Sequence, residues 1–280
     1  MATTAMESNL SLMKACHILG LNLVELEDWN CCGSSSAHCL DQELAFNLAA
    51  RNLSLAPPDR PLLVMCPRCL HQLRHAHHFM KQDPARHRAQ ERRWGRPISL
   101  DLDIIHFMEI LVRGLLPDLK RHLARDLSSL KCVPYYGCTL FRPPALRRAR
   151  YYQAEMENVL AALGAQPVPK ALSYRCCGSF LSAARPDVVA PLVDQIHHSA
   201  RAVGADCLVT ICAMCQLNLE IRGSLEKKVP VFHFSEILAL ALGARDYEDW
   251  FIRHLVDPRT LLESQGLIPR AVIPPEQYTL

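Results

Sequence analysis

The sequence predicts an α/β fold made of two pseudo-symmetric, cysteine-rich repeats with short parallel strands and flanking helices. Two observations lead to this prediction. A Cys-Cys-Gly motif followed by a Cys-x-x-Cys motif occurs twice, at residues 31–33 with 66–69 and at residues 176–178 with 212–215. Around both motifs, apolar segments of strand length alternate with segments of helical periodicity, a pattern typical of α/β units with parallel strands.

The composition indicates a globular protein and excludes several classes of function. The chain has 280 residues, 50% of them hydrophobic, enough for one large or two modest domains. A net charge of +3 is too small to indicate a nucleic-acid partner. The longest apolar stretch, at residues 237–244, falls short of the ~20 residues of a membrane span, and no leader opens the chain. We therefore expect a cytoplasmic location without direct membrane insertion.

The first repeat is predicted to alternate helix and strand as far as its cysteine pair. Residues 6–20 have helical spacing and end on Gly20, and residues 21–26 alternate like a strand that leads into the first Cys-Cys-Gly turn. A helix capped by Asp41 should extend to residue 55. Residues 62–65 indicate a buried strand that delivers Cys66, and Pro67 suits the first turn of the next helix.

The second repeat is predicted to follow the same order, so an internal duplication explains both halves. Helices are expected at residues 146–164 and 187–203, with a strand at 207–211 before Cys212. The closing segments also match, since residues 105–111 resemble residues 232–238, and a polar insertion at 83–96 occurs in the first repeat only. The predicted units are residues 1–129, which form the first repeat, and residues 130–280, which form the second repeat and a C-terminal tail. We expect His106 and His233, which recur between strand and helix, to make structural hydrogen bonds.

The cysteine pattern predicts a metal centre. Thirteen cysteines in a chain without an export signal favour metal binding or redox chemistry over disulfides. Thiolates at a helix start are stabilised by backbone N–H groups and the helix dipole, and the glycine of Cys-Cys-Gly lets the backbone bend closely around a ligand. The second repeat gathers five thiols, one more than tetrahedral zinc or a usual cubane takes. This count favours an unusual iron–sulfur cluster bound by Cys138, Cys176, Cys177, Cys212 and Cys215.

These motifs resemble a known family. The spacing from Cys138 through Cys215 is similar to the cysteine-rich CCG domain, and the tandem copies with residues 133–138 and 231–234 resemble the B subunit of heterodisulfide reductase, including the related B subunit of sulfur oxidisers. The resemblance implies that each complete motif holds a noncubane [4Fe-4S] cluster that cleaves a disulfide or oxidises thiol or sulfane-sulfur substrates. It also implies a catalytic role for the five second-repeat cysteines. The partners that it implies are a ferredoxin-like C subunit and a flavin-bearing A subunit.

Two alternatives stay open at this point. Other CCG proteins include iron–sulfur subunits of glycolate oxidase and of succinate or fumarate oxidoreductases, which typically carry an additional ferredoxin-like cysteine stretch that this sequence lacks. A zinc-bound scaffold without turnover is the other alternative.

The first repeat departs from the family pattern because its motifs supply four cysteines rather than five. In the second repeat Cys138 precedes the helix-ending Gly164. Counted back by the same number of residues from Gly20, its counterpart in the first repeat would precede Met1. Either the chain start is therefore clipped or the first site is built differently. Four thiolates could hold zinc, a cubane or an incomplete cluster. The four are Cys31, Cys32, Cys66 and Cys69. The remaining cysteines Cys16, Cys39, Cys132 and Cys207 are expected to be small buried hydrophobic residues.

Overall fold

The computed structural model describes residues 5–34, 37–141, 154–168, 171–224, 226 and 228–270. It is an α/β structure, as predicted. The strands are β1 (Leu62–Val64), β2 (Ile104–His106), β3 (Lys131–Tyr135), β4 (Gln166–Pro167), β5 (Cys207–Thr210) and β6 (Val231–His233). The strands β1 and β2 form one sheet, and the second sheet has the order β4-β3-β5-β6. Every strand pair is parallel, so all carboxyl ends in a sheet lie at one edge.

The helices flank these sheets and connect successive strands. They are α1 (Met6–Ile18), α2 (Ala37–Leu40), α3 (Gln42–Leu55), α4 (Pro67–Gln82), α5 (Pro84–Trp94), α6 (Phe107–Ile110), α7 (Leu116–Leu119), α8 (Glu155–Ala162), α9 (Pro186–Ala202), α10 (Ala213–Ile221), α11 (Phe234–Ala241), α12 (Glu248–Phe251) and α13 (Arg259–Ser264). Among the described residues, none of these helices has the length and apolar character needed to cross a membrane.

Several local signals in the sequence are confirmed. Asp41 caps α3 by accepting hydrogen bonds from the backbone N–H groups of Glu43 and Leu44 at 2.8 and 3.2 Å. Pro67 occupies the first turn of α4, and Gly20 follows α1 with a left-handed φ of +69°. The polar insertion of the first repeat forms α5, which begins after the capping residue Asp83. These features depend on contacts within a few residues, which is why the sequence shows them.

The duplication is visible in the order and pairing of the elements. In both halves a buried strand leads to a Cys-x-x-Cys helix and then to a second parallel strand followed by a short helix, so β1, α4, β2 and α6 correspond to β5, α10, β6 and α11. The sheet of the second half is wider, because β3 pairs with β5 on one side and with β4 on the other.

The strand predicted at residues 21–26 is wrong, since these residues have no regular structure. The corresponding strand of the second half, β4, is only two residues long and exists through its pairing with β3. In the described part of the first half no strand corresponds to β3, so residues 21–26 have no partner with which to form a ladder. Of the helix predicted at residues 146–164, the structure shows α8, and the stretch 146–153 lies outside the described residues.

One hydrophobic core joins the two halves. A single cluster of buried residues includes Leu12 and Phe46 from the first half and Leu160 and Ile237 from the second. The opening helix of each half packs on the closing helices of the other, since α1 contacts α11 and α12 while α8 contacts α7 and the π-helical turn Leu111–Leu115. This exchange holds the cysteine-bearing edges of the two sheets close to each other.

Candidate metal centre

Both Cys-x-x-Cys motifs lie where a parallel strand ends and a helix begins. Cys66 follows β1 and is the N-cap residue of α4, and Cys212 follows β5 and is the N-cap residue of α10. Both residues have an extended backbone, and their side chains do not cap the helix. Cys69 and Cys215 come one turn later. The thiols therefore lie near the free N–H groups of a helix N-terminus, where negative charge is stabilised.

The Cys-Cys-Gly turns bring a further thiol to each helix. The Sγ atoms of Cys32 and Cys69 are 2.9 Å apart in the first half, and those of Cys177 and Cys215 are 3.5 Å apart in the second. In both halves the second cysteine of the turn thus meets the second cysteine of the helix. The Asn218 side chain of α10 donates a hydrogen bond of 2.7 Å to the Cys177 carbonyl oxygen, which fixes the second turn against its helix.

The fifth cysteine of the second half, Cys138, lies just beyond β3 and its thiol is hydrogen-bonded to that of Cys176. The preceding Gly137 has a φ of +69°, and a Cβ atom at this position would lie 3.1 Å from the Sγ of Cys215. A residue with a side chain would therefore press against a thiol of the site. This close approach explains why glycine stands before Cys138.

The two thiols of each pair have different pKa values. The hydrogen bond with Cys176 lowers the pKa of Cys138 to about 6, and the one with Cys215 lowers the pKa of Cys177 to about 7, while the pKa values of Cys176 and Cys215 are raised. In the first half the hydrogen bond with Cys69 lowers the pKa of Cys32 to about 6. One thiol of each pair is therefore readily deprotonated, and binding of a metal would release the proton of the other.

The two cysteine groups touch each other, which the sequence analysis did not predict. The side chain of Cys66, from the first half, is hydrogen-bonded to that of Cys212, from the second, and this bond is the largest cause of the lowered pKa of Cys66. The first group is the more accessible, since Cys31 is exposed, whereas Cys177, Cys212 and Cys215 are buried. Apart from the exposed Cys31, the cysteines of the two groups thus form one continuous sulfur-rich region.

A narrow cleft lies against the second group. Its walls carry the thiols, the hydroxyl-bearing side chains Tyr136, Thr139 and Ser179, and two residues of the first half, Pro67 and Arg68. Arg68 donates a hydrogen bond to the Ser34 carbonyl oxygen, and its charge contributes to the lowered pKa of Cys138. The sequence analysis missed Arg68. Its position between the two cysteines of the first motif was the available signal, since one of those cysteines reaches the second site.

The residues around the cleft fit a metal cofactor with sulfur ligands. Within the described residues, no three or more His, Cys, Asp or Glu side chains have the arrangement that holds a single metal ion. A single zinc needs four donors about 2.3 Å from one point, whereas a cluster is contacted from the walls of a larger space. Five thiols lie on the walls of one narrow cleft. Thiolates are also the usual ligands of iron–sulfur clusters.

The expectation for His106 and His233 is confirmed. Each is the N-cap residue of a short helix in a capping box whose second member is Glu109 or Glu236. The Nδ1 atom of His106 accepts from the Met108 backbone, and its Nε2 atom is 2.8 Å from the Met65 carbonyl oxygen. Burial, as the largest cause, lowers the pKa values of both imidazoles to about 4, so both are neutral.

The cysteines expected to be inert are buried. Cys16, Cys132 and Cys207 are at most 1% exposed. Burial raises the pKa values of Cys16 and Cys132 to about 12, and that of Cys207 also rises, so none of the three supplies a reactive thiolate. The side chain of Cys39 lies outside the described part of the structure.

Replacement of Gly33 by alanine is expected to destabilise the protein by about 1–3 kcal/mol more than the same change at Gly20. Both glycines have a left-handed φ, so both substitutions cost about 1–2 kcal/mol of backbone strain. A Cβ at Gly20 meets open space, whereas one at Gly33 would lie 3.2 Å from the backbone of Ala45 in α3. Urea unfolding of both variants measures the gap, and equal losses would show that the first Cys-Cys-Gly turn is not packed tightly on α3.

The fold and the two cysteine groups define a thiol-rich protein of the α/β class. The chain belongs to the CCG cysteine-rich domain family, whose profile matches residues 2–74 and 132–220. The two copies and the similarity to B subunits of heterodisulfide reductases support the relationship that the sequence motifs indicate.

The similar proteins include subunits of two kinds of oxidoreductase. The chain is 28% identical over 273 residues to the 8-methylmenaquinol:fumarate reductase membrane anchor subunit of Wolinella succinogenes, covering 93% of this chain and 95% of that protein. It is 27% identical over 243 residues to the B subunit of the ferredoxin/F420H2-dependent CoB-CoM heterodisulfide reductase of Methanosarcina acetivorans, covering 80% of each chain. A crystal structure of a hypothetical protein from Helicobacter pylori has the same fold at a TM-score of 0.67 and 12% identity. The match covers 91% of this chain and about half (49%) of that one.

Proposed function

We propose that this protein is the iron–sulfur subunit of a heterodisulfide reductase-like complex that reduces a disulfide or oxidises thiol or sulfane-sulfur substrates. The observation that carries the proposal is the cleft with five thiols on its walls beyond the ends of β3 and β5. Thiols that converge on one cleft are suited to ligating a cluster. The similarity to B subunits of heterodisulfide reductases, over 80% of this chain, supports the same activity.

The proposed ligands follow the two motifs. In the second site Cys138, Cys176, Cys177, Cys212 and Cys215 would hold a noncubane [4Fe-4S] cluster, and they would be the catalytic centre. In the first site Cys31, Cys32, Cys66 and Cys69 would hold a second cluster or a zinc ion. When bound, an iron–sulfur cluster supplies electrons one at a time. Reduction of a disulfide to two thiols takes two electrons and two protons, so two neighbouring centres suit the reaction.

The residues of the chain itself prepare the site for this chemistry. The N-termini of α4 and α10 stabilise the thiolates that a cluster needs. Arg68 places a positive charge from the first half beside the cleft of the second, which favours a negatively charged ligand there. The phenol of Tyr135 donates a hydrogen bond of 2.5 Å to the Arg175 carbonyl oxygen and so holds the chain next to Cys176.

The complex we propose would be cytoplasmic and would include a ferredoxin-like C subunit and a flavin-bearing A subunit. The exposed Cys31 marks the side at which electrons would enter from such partners, because the second site is more deeply buried.

A second candidate is favoured by a specific observation. The fumarate reductase membrane anchor protein of Wolinella succinogenes matches this chain over 93% of its length, more than the heterodisulfide reductase protein of Methanosarcina acetivorans does. In this alternative the same clusters would pass electrons between a quinol and a dicarboxylate-reducing partner. The thiols would then ligate metal without reacting with a sulfur substrate.

Anaerobic purification of the tagged protein with its native partners is expected to yield iron and acid-labile sulfide together with disulfide reductase or thiol-oxidising activity. The isolated complex would be assayed in parallel with disulfides, thiols, fumarate and succinate. Fumarate or succinate turnover without activity on sulfur compounds would favour the second candidate. A protein that contains zinc but neither iron nor sulfide would contradict both candidate functions and would favour the zinc-bound scaffold.

A further inference from the structure

The two halves neutralise a buried carboxylate with different residues. Each half buries a carboxylate that completes a capping box, Glu109 in the first and Glu236 in the second. In the first half Arg74 of α4 neutralises this carboxylate, with its Nη2 atom 2.7 Å from the Oε1 of Glu109. Arg74 lies eight residues after Cys66, and the residue eight after Cys212 is Glu220. At the matching position the second half therefore has a second negative charge.

A histidine from outside the repeat balances the negative charge that Glu220 adds. The imidazole of His254, which follows α12, lies between the two carboxylates, with Nδ1 2.7 Å from Glu220 and Nε2 2.8 Å from Glu236. The His254 and Glu236 side chains are fully buried, and that of Glu220 is 4% exposed. Both ring nitrogens face carboxylate oxygens, so both must donate, and the imidazole is a cation.

We propose that His254 is the positioning residue of the second cysteine site and performs there the function that Arg74 performs in the first. It ties α10, which carries Cys215 and begins after Cys212, to α11 and to the segment that follows α12. His254 acts on the cysteines through α10.

The contacts around His254 show how its position would be transmitted. Gln216, the residue after Cys215, donates to Glu236 at 3.2 Å and accepts from Ser8 of α1 at 3.1 Å. The backbone N–H of Leu255 donates to the other oxygen of Glu220 at 3.0 Å. Loss of the cation would leave two carboxylates facing each other in the core, a repulsion that is relieved when α10 moves or when one carboxylate binds a proton.

The cation also predicts a pH dependence. Burial, the largest single influence, lowers the pKa of His254, but the charges and hydrogen bonds of Glu236 and Glu220 outweigh it and raise the pKa to about 10. Glu7 of α1 and Asp257 also interact with this charge. Because the unperturbed value is 6.5, the stabilisation is complete below pH 6.5 and is lost as the pH rises towards 10.

The test compares His254→Gln with the double variant His254→Gln/Glu220→Arg, which copies the arrangement of the first half. A control is Arg259→Gln, which breaks partly exposed ion pairs with Asp257 and Glu248 in the same segment. His254→Gln is expected to retain the cofactor of the second site about 10-fold less well, as changes behind metal ligands do, and the double variant should recover it. Urea unfolding of the cofactor-free chain at pH 6.5 and 9.5 should show a stability gap between wild type and His254→Gln that narrows at the higher pH.

The unfolding experiment needs no cofactor, so its result tests this inference independently of the proposed function. If His254→Gln does not fold, the double variant must fold. A double variant no better than His254→Gln overturns the inference, as does a stability gap that is the same at both pH values. Arg259→Gln should behave as wild type, and an equal effect there would overturn the inference by showing that the segment matters but the buried cation does not.

Discussion

Replacement of Cys177 by alanine is expected to abolish cofactor binding at the second site while the chain stays folded. The Cys177 thiol is buried within the group, 3.5 Å from that of Cys215, and Asn218 holds its backbone. Truncation of this small side chain costs about 1 kcal/mol of folding stability, whereas a cluster that loses a ligand has no other described thiol at that place. Iron and acid-labile sulfide per chain, measured beside circular dichroism, distinguish loss of the cofactor from loss of the fold.

The control for this experiment is Cys207→Ala. Cys207 is a fully buried cysteine of β5, the strand that delivers Cys212, and burial raises the pKa of its thiol. Its replacement removes the same atom from the same strand–helix unit without removing a proposed ligand, so full iron content is expected. Equal iron in wild type and Cys177→Ala would show that the Cys-Cys-Gly turn does not ligate the cofactor. Loss of iron in Cys207→Ala would show that any cavity near the site disrupts it.

The features predicted correctly from the sequence are those with local causes. The Asp41 cap, the Pro67 start of α4 and the hydrogen bonds of His106 and His233 with the first turn of the following helix depend on neighbours within a few residues. The duplication was visible because the same local signals recur in the same order. The strand predicted at residues 21–26 had the correct alternation but needs a partner strand, and pairing is a tertiary property.

The contacts between the halves could not be predicted in this way. The bond between Cys66 and Cys212 and the placement of Arg68 in the second cleft follow from how two sheets are held by the exchanged helices α1 and α8. His254 lies outside both repeats, so no motif draws attention to it. The signal that was available is the exchange of Arg74 for Glu220 at the same distance from a cysteine. A buried charge reversal requires a compensating charge somewhere else in the fold.

The Arg74–Glu109 ion pair in the first half corresponds to the contacts of His254 in the second. Its side chains are only 11% and 1% exposed, and Arg74 also donates through Nε and Nη2 to the Ile104 carbonyl oxygen at 2.9 and 2.7 Å. These bonds connect α4, which carries Cys69, to β2 and to the capping box of α6. Arg113 approaches Glu109 at 3.5 Å but is 42% exposed, so water screens its charge more strongly.

Arg74→Met is therefore expected to destabilise the protein by about 3–5 kcal/mol, the cost of leaving a buried carboxylate without its partner. Adding Glu109→Gln should recover part of this loss, because the amide carries no charge to desolvate, and the double-mutant cycle then gives the coupling between the two side chains. Arg121→Met is the matched control. Its pair with Asp118 is exposed, with 81% and 56% of the side chains accessible, so a change of about 0.5 kcal/mol or less is expected. The measurement is urea unfolding at pH 7. A loss below about 1 kcal/mol for Arg74→Met, in the range of a surface pair, would show that Glu109 does not depend on Arg74 for its charge balance.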